Sequence, residues 1–142
     1  MAMRSLQRIL FVLLGISASA AVALGIYVAQ PWGDNGAYQN ATNYLMLGVV
    51  LLFSVSPYPG LAWLSRFFVR PAVSFAIFVV GASCIGVGGA LAYYDATFVH
   101  IDAQNGLVFL FVPLYQWLAS LFLFIICRIL VWLLPSDRTG GG

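Results

Sequence analysis

The densest group of side chains that could do chemistry lies between residues 95 and 105. Asp95, His100 and Asp102 are potential ligands for a divalent metal ion. The same residues with Gln104 are the only polar cluster that could serve an enzyme acting on lipids or quinones. Three ligands so close together in one loop recur by chance, so we favour structural roles. Asp95 is expected to end one helix in water, and Asp102 or Asn105 to cap the next.

A second polar group lies inside the apolar segments of the chain. The amide of Gln116 costs several kcal/mol in hydrocarbon without a partner. We therefore expect it to point inward and to bond a serine, Tyr115 or a backbone carbonyl. Ser17, Ser83, Tyr115 and Gln116 form a possible intramembrane polar site. The alternative is a lipid or small-molecule pocket around Gln116, Tyr115 and Trp117.

Several kinds of chemistry have no motif in this sequence. There is no phosphate-binding glycine loop, zinc-protease helix motif or nucleophile elbow. No titratable residue other than cysteine or tyrosine falls in the middle of an apolar run, which disfavours a proton relay. Cys84 and Cys127 are expected to be free thiols at different membrane depths. The sequence therefore predicts no enzyme, no resident metal and no cofactor.

The composition indicates what must position these residues. Of 142 residues, 63% are hydrophobic and 7% are charged, whereas soluble domains carry about 25% charged residues. A membrane-spanning helix needs about 20 apolar residues. We predict an all-α, polytopic membrane protein that forms one domain, residues 1–142, as a four-transmembrane-helix bundle. The predicted spans are about residues 9–29, 43–64, 72–94 and 106–134.

Two of these spans allow alternative interpretations. The first could be a cleaved signal peptide, because Arg4 and Arg8 precede an apolar run that contains small residues. That run is longer than a signal core, which favours an uncleaved helix. The second span contains Pro57 and Pro59. It is either one kinked helix or a helix that ends near Ser56 and continues along the interface.

The distribution of charge predicts the orientation of the four spans. Six arginines, and no lysine, fall on one side of the membrane: Arg4, Arg8, Arg66, Arg70, Arg128 and Arg138. The opposite loops contain Asp34, Asp95, His100 and Asp102. By the positive-inside rule both termini are cytoplasmic. We expect a bacterial inner membrane location because the chain is small, lacks lysine and has fully segregated arginines.

Small residues four positions apart predict where helices pack. They form one stripe on the first helix and one on the third: Gly15, Ser19, Ala23 and Ala82, Gly86, Ala90. These stripes are interpreted as a packing interface, either within the bundle or between copies of the chain.

The sequence favours a non-enzymatic bundle that binds other membrane components as an accessory or structural subunit. The alternative is a channel or passive carrier subunit, oligomeric and lined by Ser17, Ser83 and Gln116. The expected partners are the lipid bilayer and another membrane protein or a second copy. Nucleic acid is not an expected partner, because the arginines form no polybasic patch.

Overall fold

A computed structural model of the chain describes residues 2–29, 41–68, 72–99 and 105–133, which are helical almost throughout. The helices are α1 (Ala2–Ala29), α2 (Ala41–Val55), α3 (Pro57–Leu64), α4 (Ala72–Tyr94) and α5 (Asn105–Leu133). A 3₁₀ turn, Ser65–Phe68, extends α3, and a π-helical turn, Asp95–Val99, extends α4. Four stretches are long and apolar enough to cross a membrane: Arg4–Ala29, Ala41–Phe68, Ala72–Val99 and Leu107–Leu133. The predicted all-α four-helix membrane bundle is confirmed.

Some predictions concern residues outside these ranges. The metal-ligand and enzyme interpretations of the loop depend on His100, Asp102 and Gln104, which lie there. Asp34, Arg70 and Arg138 also lie outside the described residues. The predicted cap of α5 depends on the side chains of Asp102 or Asn105, which are outside the description as well.

Each helix of the bundle has two main neighbours. Helix α4 packs along α1 on one side and along α5 on the other, and the α2–α3 segment packs against α1 and α5. Around the bundle the order is therefore α1, α4, α5 and α2–α3, with α1 and α5 on a diagonal. Glycines lie at these contacts: Gly86 beside Leu14 of α1, and Gly81 beside Leu123 of α5.

The contacts also fix the direction of each helix. Helices α1 and α4 run the same way, because Gly86 lies beside Leu14 and Phe98 lies 5.5 Å from Tyr27, ring centroid to ring centroid. Phe124 of α5 contacts Phe68 at the opposite end. The described arginines consequently lie toward one end of the bundle, and Asp95 lies toward the other: Arg4, Arg8, Arg66 and Arg128.

Aromatic rings fill the interior. Phe68 and Phe78 stack with centroids 5.0 Å apart toward the arginine end. Tyr93 and Phe109 stack at 4.8 Å toward the other end. Tyr58 is buried between these two pairs. The centre of the bundle is therefore closely packed along its length.

The break between α2 and α3 originates at Pro57. Proline has no N–H, so the carbonyl of Phe53, four residues earlier, loses its usual helical donor. The Ser56 hydroxyl donates to that carbonyl at 2.8 Å, and the Ser56 N–H donates to it at 3.2 Å. The Trp117 indole N–H in turn donates to the Ser56 hydroxyl oxygen at 3.0 Å. Gly60 makes room for this indole, since a Cβ there would lie 2.6 Å from the ring.

The segment after the break belongs to the bundle. Leu61 and Phe68 are fully buried, and residues 41–68 form one membrane-spanning stretch. Residues 41–68 continue as one helical stretch on both sides of the break, as the kinked interpretation of the second span expects. Within residues 61–68, Leu61, Ser65 and Phe68 are buried in the bundle, whereas Trp63, Arg66 and Phe67 are exposed.

Helix α5 contains a proline with a similar effect. Pro113 leaves the carbonyl of Phe109 without its helical N–H. The Ser54 hydroxyl of α2 donates to this carbonyl at 2.9 Å, and Ser54 is fully buried. In lipid, side chains of neighbouring helices can replace the backbone donors that prolines remove. Ser54 of α2 thus supplies the donor that Pro113 removes from α5.

The substitution Ser54→Ala is expected to lower the free energy of unfolding by about 1 kcal/mol, since it leaves the Phe109 carbonyl unpaired. In a Pro113→Ala background the loss should be smaller, because a backbone N–H returns at position 113. Unfolding of the purified protein in mixed detergent micelles measures both values.

Ser19→Ala is the matched control. Ser19 donates to Gly15 in an unbroken stretch of helix, so its removal should change the unfolding free energy little in either background. An equal loss for Ser54→Ala with and without Pro113 would contradict the repair role.

Candidate functional site

Gln116 lies at the centre of the buried face of α5. Buried positions three, four or seven apart form this face: Phe109, Pro113, Gln116, Ser120 and Cys127. Gln116 is 4% exposed, although it lies well inside the membrane-spanning stretch. Gln116 is thus a strongly polar side chain at a position of α5 that faces the apolar interior of the bundle.

The Gln116 amide lies against the backbone of α4. Its Nε2 donates to the Ile85 carbonyl oxygen at 3.1 Å and, more weakly, to the Tyr58 hydroxyl oxygen at 3.4 Å. Gly89 permits this approach, because a Cβ at that position would overlap the amide nitrogen. The carbonyl oxygen Oε1 is buried and has no partner among the described residues. The amide is therefore half satisfied.

A second buried polar group lies nearby. Tyr93 is fully buried, its ring stacks on Phe109, and its hydroxyl has no hydrogen-bond partner among the described residues. The Ser54 hydroxyl is directed to the Phe109 carbonyl. Side chains from α2, α3, α4 and α5 therefore meet in one polar centre, formed by Ser54, Tyr58, Tyr93 and Gln116.

The chemistry available to this polar centre is limited to hydrogen bonding. Amide and hydroxyl groups donate and accept hydrogen bonds but stay uncharged near neutral pH. Within the described part of the chain, no group of three or more His, Cys, Asp or Glu could hold a metal ion. The arrangement suits recognition of a polar group in an apolar setting, not proton transfer.

The structure divides the predicted polar site. Gln116 and Ser17 are buried, Ser83 is partly buried, and Tyr115 is 65% exposed on the outer face of α5. Of the partners predicted for Gln116, the structure has a backbone carbonyl, that of Ile85. Tyr115 is not its partner, because consecutive residues of a helix point about 100° apart. The tyrosine that contacts Gln116 is Tyr58, whose position follows from the proline break and has no signal in sequence spacing.

Trp117 also points elsewhere. Its indole donates to Ser56 on the α2–α3 side, whereas Gln116 and Tyr115 both line a groove between α4 and α5. Of the predicted pocket around Gln116, Tyr115 and Trp117, the described part of the chain therefore brings together the first two residues and not Trp117.

The two small-residue stripes have different environments. The α4 stripe is largely internal: Ala82 and Gly86 are buried, and Gly86 contacts Leu14 of α1. The α1 stripe of Gly15, Ser19 and Ala23 is exposed. Helix α1 turns a different face inward: Leu10, Leu14, Ser17, Ala21 and Gly25. Gly15 and Ser19 are thus exposed, whereas Ala23 and Ala90 line a common groove between α1 and α4.

The exposed stripe forms the floor of a groove. One section, of about 250 Å³, lies between α1 and α3, and a second, of about 520 Å³, lies between α1 and α2. The sections meet at Ala18 and extend over residues 11–26, about 22 Å at 1.5 Å per residue. We call this surface the α1 groove; among its residues are Gly15, Ala18, Ser19, Ala23, Val55 and Pro59. No described atom within 4 Å obstructs a Cβ at Gly15.

Gly89→Ala is expected to destabilise the protein by about 1–3 kcal/mol, because the new methyl group occupies the position of the Gln116 amide. Adding Gln116→Ala should restore most of the loss, since it vacates that space. Thermal and detergent unfolding of the single and double variants gives the coupling.

Gly88→Ala is the control, since a Cβ at Gly88 meets no described atom within 4 Å. Its unfolding free energy should stay close to the wild-type value. Strictly additive effects of Gly89→Ala and Gln116→Ala would show that the two residues do not contact.

The comparisons with known proteins add no assignment. No family model, curated protein sequence or solved structure matches the chain.

Proposed function

We propose that this chain is a non-enzymatic subunit of the bacterial inner membrane that binds a transmembrane helix of another membrane protein in the α1 groove. One observation carries the proposal. The stripe of Gly15, Ser19 and Ala23 is exposed along the floor of a helix-length groove, and no other part of the described chain covers it.

The physics of association in lipid supports this assignment. Hydrophobic burial contributes little between helices that are already in hydrocarbon, so association depends on van der Waals packing at short distance. Small residues permit that distance. The concave surface between α1 and the broken α2–α3 segment increases the contact that an incoming helix makes.

Inside the bundle, the same chain packs two of its own helices together through small residues. Gly86, in the α4 stripe, is in contact with Leu14 of α1. The α1 stripe has the same spacing and residue types, but its glycine has no neighbouring side chain within 4 Å. By analogy within one molecule, the α1 stripe is a helix contact whose partner comes from outside the chain.

A channel or passive carrier is less well supported. Tyr58, Phe78 and Tyr93 fill the interior with at most 2% exposure, so a solute path through one copy would have to displace aromatic rings. Ser17, Ser83 and Gln116 also do not line a common lumen. Conduction would require several copies around a shared axis.

The proposed orientation has both termini in the cytoplasm. Arg4, Arg8, Arg66 and Arg128 lie toward one end of the bundle, and Asp95 lies toward the other. The positive-inside rule assigns the arginine end to the cytoplasm.

Gly15→Leu should reduce recovery of the partner at least about tenfold, the change that corresponds to 1.4 kcal/mol, because the leucine fills the floor of the α1 groove. Wild type and variant are purified from native membranes in mild detergent, and associated membrane proteins are quantified by mass spectrometry. Gly88→Leu is the matched control, since it adds the same side chain at an open position on α4.

The partner is defined as a membrane protein that Gly15→Leu loses and Gly88→Leu retains. A photocrosslinking residue at position 19 should capture that same protein. Equal recovery with both variants contradicts the proposal, and capture of only a second copy replaces it with self-association.

Reporter fusions test the orientation. Green fluorescent protein fused to the C-terminus should fluoresce in bacteria, and alkaline phosphatase fused at the same point should be inactive, because the two reporters fold on opposite sides of the inner membrane. The reverse pattern would contradict the assignment of the arginine end.

A further inference from the structure

A second groove lies between α4 and α5, and Gln116 belongs to its lining. This α4–α5 groove has a volume of about 320 Å³, with Cys84, Gly88, Gly89, Val112, Gln116 and Ala119 among its residues. It opens toward lipid. Gly88 and Gly89 leave the α4 wall without side chains beside the amide.

The Gln116 amide offers the groove one unused acceptor. Its nitrogen is held by the Ile85 carbonyl oxygen, so the amide cannot exchange its two ends without losing that bond. Its oxygen is buried without a partner among the described residues. A buried acceptor that is left unpaired costs about 1–3 kcal/mol, and this cost disappears when a donor arrives.

We propose that the α4–α5 groove binds an uncharged, lipid-soluble molecule with a hydroxyl group, which donates its hydrogen bond to Oε1 of Gln116. The hydroxyl of such a molecule also lacks a partner in the hydrocarbon, so pairing satisfies both groups. This site is on a different face from the α1 groove and does not depend on the function proposed there.

The dimensions and polarity of the groove define the ligand further. A volume of about 320 Å³ is at the lower end of ligand pockets, about 300–1,000 Å³. It accommodates roughly ten heavy atoms at about 30 Å³ each, the volume of a water molecule in the liquid. None of the described residues that line it is charged, which excludes recognition of a phosphate or carboxylate. A short isoprenoid or aliphatic alcohol meets these requirements.

Geraniol and geranyl methyl ether are matched probes, because they differ in the hydroxyl that the proposal requires. The full-length protein is reconstituted in lipid nanodiscs, and saturable binding of tritiated geraniol is measured by scintillation proximity. Unlabelled geraniol should compete at least about tenfold more strongly than the ether, as expected for one hydrogen bond to an otherwise unpaired acceptor. Equal competition, or no saturable binding, overturns the proposal.

Three variants locate the site. Gln116→Leu should reduce the affinity for geraniol to that for the ether, and Gly88→Leu should abolish binding of both by filling the groove. Gly15→Leu, on the α1 groove, should bind geraniol as wild type does. Wild-type binding by Gly88→Leu overturns the proposed location. The comparison of the two probes on wild-type protein needs no variant, so it stands even where Gln116→Leu impairs folding.

Discussion

Pro57 and Pro113 each leave a backbone carbonyl without its helical donor in a solvent that supplies none, and the arrangement of the bundle depends on how these two carbonyls are satisfied. Ser56 donates to the Phe53 carbonyl freed by Pro57. Ser54 donates to the Phe109 carbonyl freed by Pro113. The first bond stabilises the bend within the second span, and the second bond links that span to α5. Two serines, two residues apart at the end of α2, thus satisfy the backbone of two different helices.

The break between α2 and α3 contributes both to the interior of the bundle and to its outer surface. On the inner side, it places Tyr58 beside the Gln116 amide and contributes to the polar centre. On the outer side, Pro59 and Val55 form one wall of the α1 groove opposite the small residues of α1. A single local disruption of helical hydrogen bonding therefore shapes both the buried polar contacts and the exposed groove. The Trp117 indole of α5 donates to Ser56 at the break and so links α5 to it.

The spans can be predicted from the sequence because each is a continuous run of apolar residues. The inward position of Gln116 can also be predicted, because an unpaired amide in hydrocarbon is costly. The sequence does not predict which face of α1 is buried. Between residues 9 and 29 every face of α1 is apolar or small, and each of the two candidate faces carries one serine, Ser17 on the buried face and Ser19 on the exposed stripe. Polarity therefore does not distinguish the two faces. The partners of Gln116 are equally inaccessible, because Ile85 and Tyr58 are distant in sequence and meet it only after the bend forms.

The bond between Ser54 and the Phe109 carbonyl also has a consequence for the biogenesis of the protein. Alone in the membrane, α5 is an incomplete helix, since the carbonyl opposite Pro113 has no donor within its own segment. Synthesis from the N-terminus delivers α2 to the bilayer before α5 is made. The donor is therefore already in place when α5 leaves the ribosome, and the order of the segments along the chain matches the order in which their hydrogen bonds become necessary. A permuted chain that begins with α5 would insert its least self-sufficient helix first.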